Sequence, residues 1–137
     1  MKKVIQAKKG KFWIYILVSL LLPIFIGYST VNSIDDVWHI LPALIPFLLF
    51  VWIYFSTSYA LDEKYLYYQS AFIIGKIEIN KISEIQINKT LWSGNKPALA
   101  SNGMIIKYGY DEIYVAPINN QELVEALVKV NSNIIVK

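Results

Sequence analysis

Side chains that could perform catalysis or bind a metal are sparse in this sequence. His39 is the one histidine, and there is no cysteine. A disulfide framework and a cysteine-ligated metal site are therefore excluded. No second histidine and no cysteine are present to complete a nucleophilic pair or a metal triad. Carboxylates stand side by side at Asp62 and Glu63 and again at Asp111 and Glu112, but both pairs fall at predicted turns, where solvated carboxylates are ordinary. We therefore expect no enzyme activity, no cofactor and no metal.

Lysines are the next group that could carry chemistry. The chain has 13 basic residues, all lysine, and a formal net charge of +3. Residues 57–137 hold eight lysines and eight acids, so this part is neutral. A nucleic-acid-binding domain of this size carries a clear basic face, and we expect no nucleic-acid partner. The remaining lysines precede the first apolar run and are candidates for contact with the membrane surface: Lys2, Lys3, Lys8, Lys9 and Lys11.

Two apolar runs separate these lysines from the neutral part of the chain. Residues 12–28 and 37–55 are each long enough to cross a hydrocarbon core of about 30 Å. The polar link at 29–36 is short and predicts an antiparallel hairpin. A signal peptide is the alternative for the first run, but the run lacks a clear small-x-small cleavage site and a second apolar run follows at once. The chain therefore divides into 1–56, a lysine-rich segment with a transmembrane hairpin, and 57–137, a polar domain.

The lysines also predict an orientation. They precede the first run and none lies in the link, so the positive-inside rule places the N-terminus and the polar domain in the cytoplasm of a multi-pass cell-membrane protein. The same lysines would attract anionic lipid at roughly 1 kcal/mol each, or they serve as a topology signal alone. Pro42 and Pro46 can bend the second run, so a second run that lies partly in the membrane interface is an alternative.

The polar domain has the pattern of half-buried antiparallel strands. Ile77 and Ile79 alternate with charged residues, which is the period-2 pattern of such strands. We predict a turn at 70–75 and a single helical turn at 81–83. The predicted strands are 58–61, 65–69, 76–80, 84–89, 104–108 and 112–116.

An amphipathic helix ends the domain. Asn119 can cap it, and Glu122 three residues later fits a capping box. Leu123, Leu127 and Val130 share one face of this helix. The expected fold is therefore a membrane α-helical hairpin followed by an α+β domain, in which a twisted antiparallel sheet or partial barrel is covered by a C-terminal helix.

One loop carries the candidates for interaction. Residues 91–103 lack a strand or helix pattern and place Trp92 on a turn, with Lys96 shortly after it. An exposed tryptophan there could contact the membrane or a partner, whereas a buried one would pack in the core. Trp92 and Lys96 are the predicted interaction residues.

Several motifs together resemble the YyaB-like family of bacterial pleckstrin-homology (PH) domains. The chain departs from the family pattern at Ala116, where serine is frequent, and in its lack of arginine. The segments that carry the resemblance are 59–66 (YALDEKYL), 77–85 (IEINKISEI), 97–101 (PALAS), 107–109 (KYG), 113–117 (IYVAP) and 122–123 (EL).

The resemblance implies a PH-like barrel behind two N-terminal membrane helices. Some small membrane proteins of this type are self-immunity proteins, which protect a Gram-positive producer from its own secreted peptide bacteriocin, and the resemblance predicts first that this chain is one of them. The implied partners are then the lipid bilayer and an antimicrobial peptide or its membrane target. The alternative is a membrane-tethered PH-like adaptor that recruits a protein or senses lipid, and a third possibility is a subunit of a larger membrane complex.

Overall fold

The computed structural model describes residues 2–137. Three α-helices alternate with short strands in this part of the chain. The helices are α1 (Lys11–Ser29), α2 (Leu41–Ser56) and α3 (Asn120–Val130). The strands are β1 (Lys3–Gln6), β2 (Ser58–Leu61), β3 (Tyr65–Ser70), β4 (Ile73–Glu78), β5 (Ile82–Ile87), β6 (Met104–Tyr108), β7 (Asp111–Val115) and β8 (Ile135–Val136).

The strands form two sheets that enclose the core. One sheet has the order β1-β2-β3-β4 and is antiparallel throughout. The other has the order β7-β6-β5-β8, in which only β8 runs parallel to its neighbour. Helix α3 begins at the Asn119 cap, which accepts hydrogen bonds from two backbone N–H groups, and buries Leu123 and Leu127. These elements confirm the antiparallel sheet and C-terminal helix that the sequence predicts.

Strand β1 lies before the apolar helices in the chain but belongs to the polar domain. Lys3 pairs with Leu61 and Gln6 with Ser58, and Ile5 is buried in the core. Residues 3–6 were predicted to belong to the lysine-rich part of 1–56, whereas the structure pairs them with β2 of the polar domain. Because β1 and β2 are neighbours, α1 and α2 form the connection between two adjacent strands of one sheet.

The chain after β1 also joins the two sheets. Ala7 pairs with Pro117, just after β7. The Lys8 backbone N–H donates to the Ala116 carbonyl at 2.7 Å. The edge of the first sheet is therefore connected to the end of the second, which closes this side of the barrel.

Helices α1 and α2 lie side by side in opposite directions. The Trp13 ring near the start of α1 is 5.4 Å from the Phe50 ring near the end of α2. Gly27 near the end of α1 is packed close to Ile40, which precedes α2. Neither helix contains a buried residue. Helix α1 is long and apolar enough to cross a membrane, whereas α2, with 16 residues, is a shorter apolar helix.

The second apolar helix starts later than the predicted residue 37. Residues Ile34–His39 form a 3₁₀ helix, and α2 begins at Leu41. Pro42 thus lies in the first turn of α2. Backbone N–H groups in a first turn have no carbonyl partner within the helix, so the missing N–H of proline costs no hydrogen bond there. Pro46 lies inside α2, as predicted, and Pro23 lies inside α1.

Two predicted boundaries in the polar domain also shift. The turn predicted at 70–75 is shorter, because Ser70 pairs with Ile73 and β4 starts there. Ala71 takes a positive φ of 51° to make this tight turn. The single helical turn predicted at 81–83 occurs earlier, at Ile79–Lys81.

Candidate functional site

The most distinctive surface lies where the apolar helices join the sheets. We call residues 7–13 and 55–58, which make this junction, the hairpin root. A groove of about 730 Å³, here the α1 groove, lies between the start of α1 and the β5–β6 loop and is lined in part by Lys11, Trp92 and Lys96. A second groove of about 510 Å³, here the α2 groove, is lined by residues that include Lys8, Lys9 and Phe55.

A buried tyrosine attaches the β5–β6 loop to the barrel. The Tyr59 hydroxyl donates to the Pro97 carbonyl at 2.6 Å and accepts from the Ala116 N–H at 3.1 Å. Burial raises the pKa of this hydroxyl, so it stays protonated and keeps its donor. The side chain of β2 thus holds the loop against the end of β7.

A second buried tyrosine holds the other half of the loop. The Tyr114 hydroxyl donates to the Ala100 carbonyl and accepts from the Gly103 N–H at 3.0 Å. Gly103 itself must be glycine, because a Cβ there would lie 2.3 Å from the Val115 carbonyl oxygen. The loop that forms one wall of the α1 groove is therefore anchored at two points.

The loop also touches the hairpin root directly. The Gly10 N–H donates to the Leu99 carbonyl at 3.1 Å. A Cβ at Gly10 would lie 2.6 Å from that same oxygen, which real side chains do not tolerate. Glycine at this position lets the loop backbone approach the first turn of α1 and sets the width of the α1 groove.

Trp92 and Lys96, the two residues predicted from the loop, share one wall of the α1 groove. Trp92 is 87% exposed, which excludes the alternative that it packs in the core. The Lys96 ammonium lies 5.8 Å from the centroid of the Trp92 ring and 5.3 Å from that of Tyr114. The structure thus brings the two residues together on an exposed surface.

The predicted membrane-surface lysines separate into two groups. Lys9 lies over the rings of Tyr54 and Phe55, 4.4 Å and 4.9 Å from their centroids. Lys8 lines the α2 groove beside it, and Lys11 lines the α1 groove. Three of the five predicted lysines therefore meet at the hairpin root.

The other two lysines are directed away from the root. Lys2 lies over the Tyr67 ring at 3.9 Å, and Lys3 forms an ion pair with Glu122 at 2.7 Å. The reason is the register of β1, which places Lys3 opposite Leu61 at the end of β2 farthest from α2.

An exposed phenylalanine beside the root was not singled out from the sequence. The Ala71 N–H donates to the Ser56 hydroxyl at 2.7 Å, which holds the β3–β4 turn against the end of α2. Phe72, at the tip of this turn, is 70% exposed. The sequence could have indicated Phe72, because it is an apolar residue in a predicted turn, next to the apolar pair Ile73 and Ile74.

Cations are unopposed at the root. Among residues 2–137, no carboxylate lines either groove. Within residues 2–137, every ion pair uses a lysine from outside the two grooves: Lys3, Lys81, Lys107 or Lys137. The same residues contain no group of three or more histidine, cysteine or carboxylate side chains that could hold a metal. The site can therefore bind anions or an apolar surface.

Comparison with known proteins gives two matches. A family model described as Bacterial PH domain matches residues 57–131, more than half of the chain. The uncharacterized protein YyaB of Bacillus subtilis (strain 168) is 28% identical over 90 residues, which are 64% of this chain and 62% of that protein. The chain thus spans less than two thirds of the length of this relative. No solved structure matches.

Proposed function

Because this chain belongs to the Bacterial PH domain family, we propose that it is a non-enzymatic, membrane-tethered adaptor. Helices α1 and α2 hold the PH domain at the cytoplasmic face of the cell membrane, where the domain recruits a protein partner or senses lipid. The observation that carries this proposal is the pairing of β1 with β2. The apolar hairpin is the connection between these two strands, so the domain has two attachments to it.

The strand pairing limits the possible topologies. Strands β1 and β2 are hydrogen-bonded neighbours, so they must lie on the same side of any membrane. A chain that leaves this sheet at Gly10 and returns at Thr57 crosses the bilayer twice or not at all. A single crossing by α1 alone is incompatible with the sheet.

Surface chemistry favours two crossings. Phe25 on α1 and Phe55 on α2 are each 72% exposed, and neither helix buries any residue. Such a continuous apolar surface is unfavourable in water. Helix α1 is about 28 Å long and α2 about 24 Å at 1.5 Å per residue. The 3₁₀ helix before α2 extends the returning segment toward a core of about 30 Å.

The position of β1 also opposes cleavage of α1 as a signal peptide. Cleavage after α1 would remove β1 and with it the buried side chain of Ile5, of which only 6% is exposed. The first sheet would lose its edge strand, and the Lys8–Ala116 connection between the sheets would be lost. The folded domain therefore needs the segment that precedes the apolar helix.

The orientation of the hairpin is tested by single-cysteine labelling, since the chain has no cysteine of its own. Asp35→Cys lies in the link and Ser132→Cys after α3. We expect a membrane-impermeant maleimide to label Asp35→Cys in intact cells and Ser132→Cys only after permeabilisation. The cysteine-free parent is the control. Labelling of Ser132→Cys in intact cells would overturn the orientation.

Self-immunity against a secreted peptide stays a prediction that the sequence resemblance alone supports. The two matches are described as a Bacterial PH domain and an uncharacterized protein, and neither description refers to a peptide. A gene for a secreted peptide next to the gene of this protein would identify the peptide to use, and the test is expression of this protein in a host that is sensitive to that peptide. Increased survival would support immunity, and unchanged sensitivity would contradict it.

A further inference from the structure

The lysines that line the α1 and α2 grooves have no carboxylate partner among the described residues. Lys9 and Lys96 each lie over an aromatic ring, and neither takes part in an ion pair with a described residue. A cation–π contact attracts the ammonium through the face of the ring and leaves N–H donors free. These two ammonium groups are thus held in place with donors available for an anion.

The walls around these ammonium groups are apolar and aromatic. In the α1 groove, Lys96 shares the lining with Trp92 and Phe12. In the α2 groove, Lys9 shares it with Phe55 and Ile118. A small hydrated anion gains nothing from such walls, whereas a phospholipid presents a phosphate next to glycerol and acyl carbons.

The grooves also lie at the depth where lipid headgroups are expected. The α1 groove contains the first residues of α1, and the α2 groove contains Phe55 at the end of α2. If the hairpin crosses the bilayer, both grooves open at the level of the headgroups. Exposed Trp92 has the amphipathic ring that is favoured at this level.

We propose that the two root grooves bind the phosphate groups of anionic phospholipids in the leaflet that the PH domain faces. Lys9 and Lys96 donate to the phosphates, and the neighbouring aromatic side chains contact the glycerol and the first acyl carbons. This proposal rests on the membrane-tethered function above. It names the lipid class that the domain senses and the residues that select it.

The test uses the full chain in phosphatidylcholine vesicles. Trp38 and Trp52 are replaced by phenylalanine, so that fluorescence comes from Trp13 and Trp92 at the α1 groove. Quenching by brominated phosphatidylglycerol is compared with quenching by brominated phosphatidylcholine. We expect phosphatidylglycerol to quench at the lower lipid fraction, which gives its relative affinity.

Matched variants separate the site from overall charge. Lys96→Gln should lower the preference for phosphatidylglycerol about fivefold, the equivalent of roughly 1 kcal/mol per lysine near the surface. Lys64→Gln is the control, because Lys64 also lies over an aromatic ring, 5.4 Å from Tyr65, but at the β2–β3 turn. It removes the same charge and should leave the preference unchanged.

Three outcomes are distinguishable. Equal quenching by the two lipids in the parent would overturn the lipid site, as would equal losses in Lys96→Gln and Lys64→Gln. Alkaline carbonate extraction of the same vesicles tests the hairpin separately. Protein that carbonate releases would contradict the membrane-tethered function, whereas retained protein without headgroup preference would contradict the lipid site alone.

Discussion

The two ends of the first sheet differ in their chemistry although the same strands connect them. At the hairpin root, the two grooves are lined by Lys8, Lys9, Lys11 and Lys96 and by no carboxylate. At the other end of β1 and β2, the surface between the β2–β3 turn and α3 mixes both signs of charge. Its lining includes Lys3, Asp62, Glu63, Glu122, Glu125 and Lys129.

The lysines at the two ends differ in whether a carboxylate neutralises them. At the far end, Lys3 is neutralised by Glu122, which is the ordinary state of a solvated surface. At the root grooves, Lys9 and Lys96 lie over aromatic rings, and neither forms an ion pair with a described residue. A neutral domain can therefore present one end to a negatively charged surface, which the overall charge of residues 57–137 does not reveal.

The difference between the two ends of the sheet exists only if β1 is a strand of that sheet. A substitution that disrupts β1 should therefore have the largest effect on stability. Ile5→Asp would bury an unpaired carboxylate and should cost about 3–5 kcal/mol. Val4→Asp is the matched control on the same strand, because Val4 is 70% exposed. Chemical denaturation followed by circular dichroism measures both. Equal effects of the two substitutions would mean that β1 is not part of the sheet.

The next effect concerns the tyrosine that fixes the loop at the root. Tyr59→Phe leaves the Pro97 carbonyl and the Ala116 N–H without their partner and should lower the free energy of unfolding by roughly 1–3 kcal/mol. At the far end, Tyr67 donates to Asp62 at 2.9 Å on the surface. Tyr67→Phe should change stability by no more than about 0.5 kcal/mol. A larger loss of stability for Tyr67→Phe than for Tyr59→Phe would contradict the structural role assigned to Tyr59.

A pH dependence is expected from the second sheet. Glu84 accepts a hydrogen bond from Gln86 and forms ion pairs with Lys137 and Lys107, and these contacts lower its pKa from 4.5 to about 2. Because the folded state lowers this pKa, ionised Glu84 stabilises the fold above pH 4.5, and this stabilisation is lost as the pH falls toward about 2.

Glu84→Gln tests this dependence. The parent should be the more stable protein at neutral pH, and the difference should shrink as the pH is lowered through that window. Urea denaturation at a series of pH values measures the difference. If the difference in stability between the parent and Glu84→Gln stayed constant as the pH was lowered to about 2, the ionised carboxylate would contribute nothing to stability.

The smallest effect should come from the Lys3–Glu122 ion pair at the far end. Both side chains are about half exposed, at 55% and 50%. Lys3→Gln should therefore cost only about 0.2–1 kcal/mol, and salt at about 1 M should remove the difference. Thermal unfolding at low and high salt measures it. A loss that persists in high salt would require a contact other than the ion pair.

Local patterns predicted much of the polar domain. Alternation at Ile77 and Ile79 indicated a strand, and Asn119 was expected to cap α3. The structure confirms the cap and places Ile77 in β4, whereas Ile79 begins the 3₁₀ turn that follows this strand. The exposed Trp92 and its neighbour Lys96 were also identified from the loop, because an aromatic residue and a lysine on a predicted turn are visible locally.

Long-range pairing explains what the sequence did not reveal. Residues Lys3–Gln6 read as part of a basic segment before an apolar helix, and their partner β2 lies beyond both helices. The contact of Gly10 with Leu99 likewise joins distant segments. Contacts between distant segments leave no periodic pattern in the sequence. The sequence therefore could not predict which lysines lie at the hairpin root and which lie at the far end.

The pairing of β1 with β2 across the hairpin is tested most directly by a disulfide. Gln6 and Ser58 are partners in the register, and facing residues of antiparallel strands lie within disulfide range. Gln6→Cys with Ser58→Cys is combined with a protease site in the link and oxidised in isolated membranes. Lys3→Cys with Ser58→Cys is the control, since it is three residues out of register.

After cleavage in the link, the account predicts that the register-matched variant migrates as one species without reductant and as two fragments with it. The control should give two fragments in both conditions. Two fragments from the matched variant without reductant would contradict a hairpin inserted between adjacent strands.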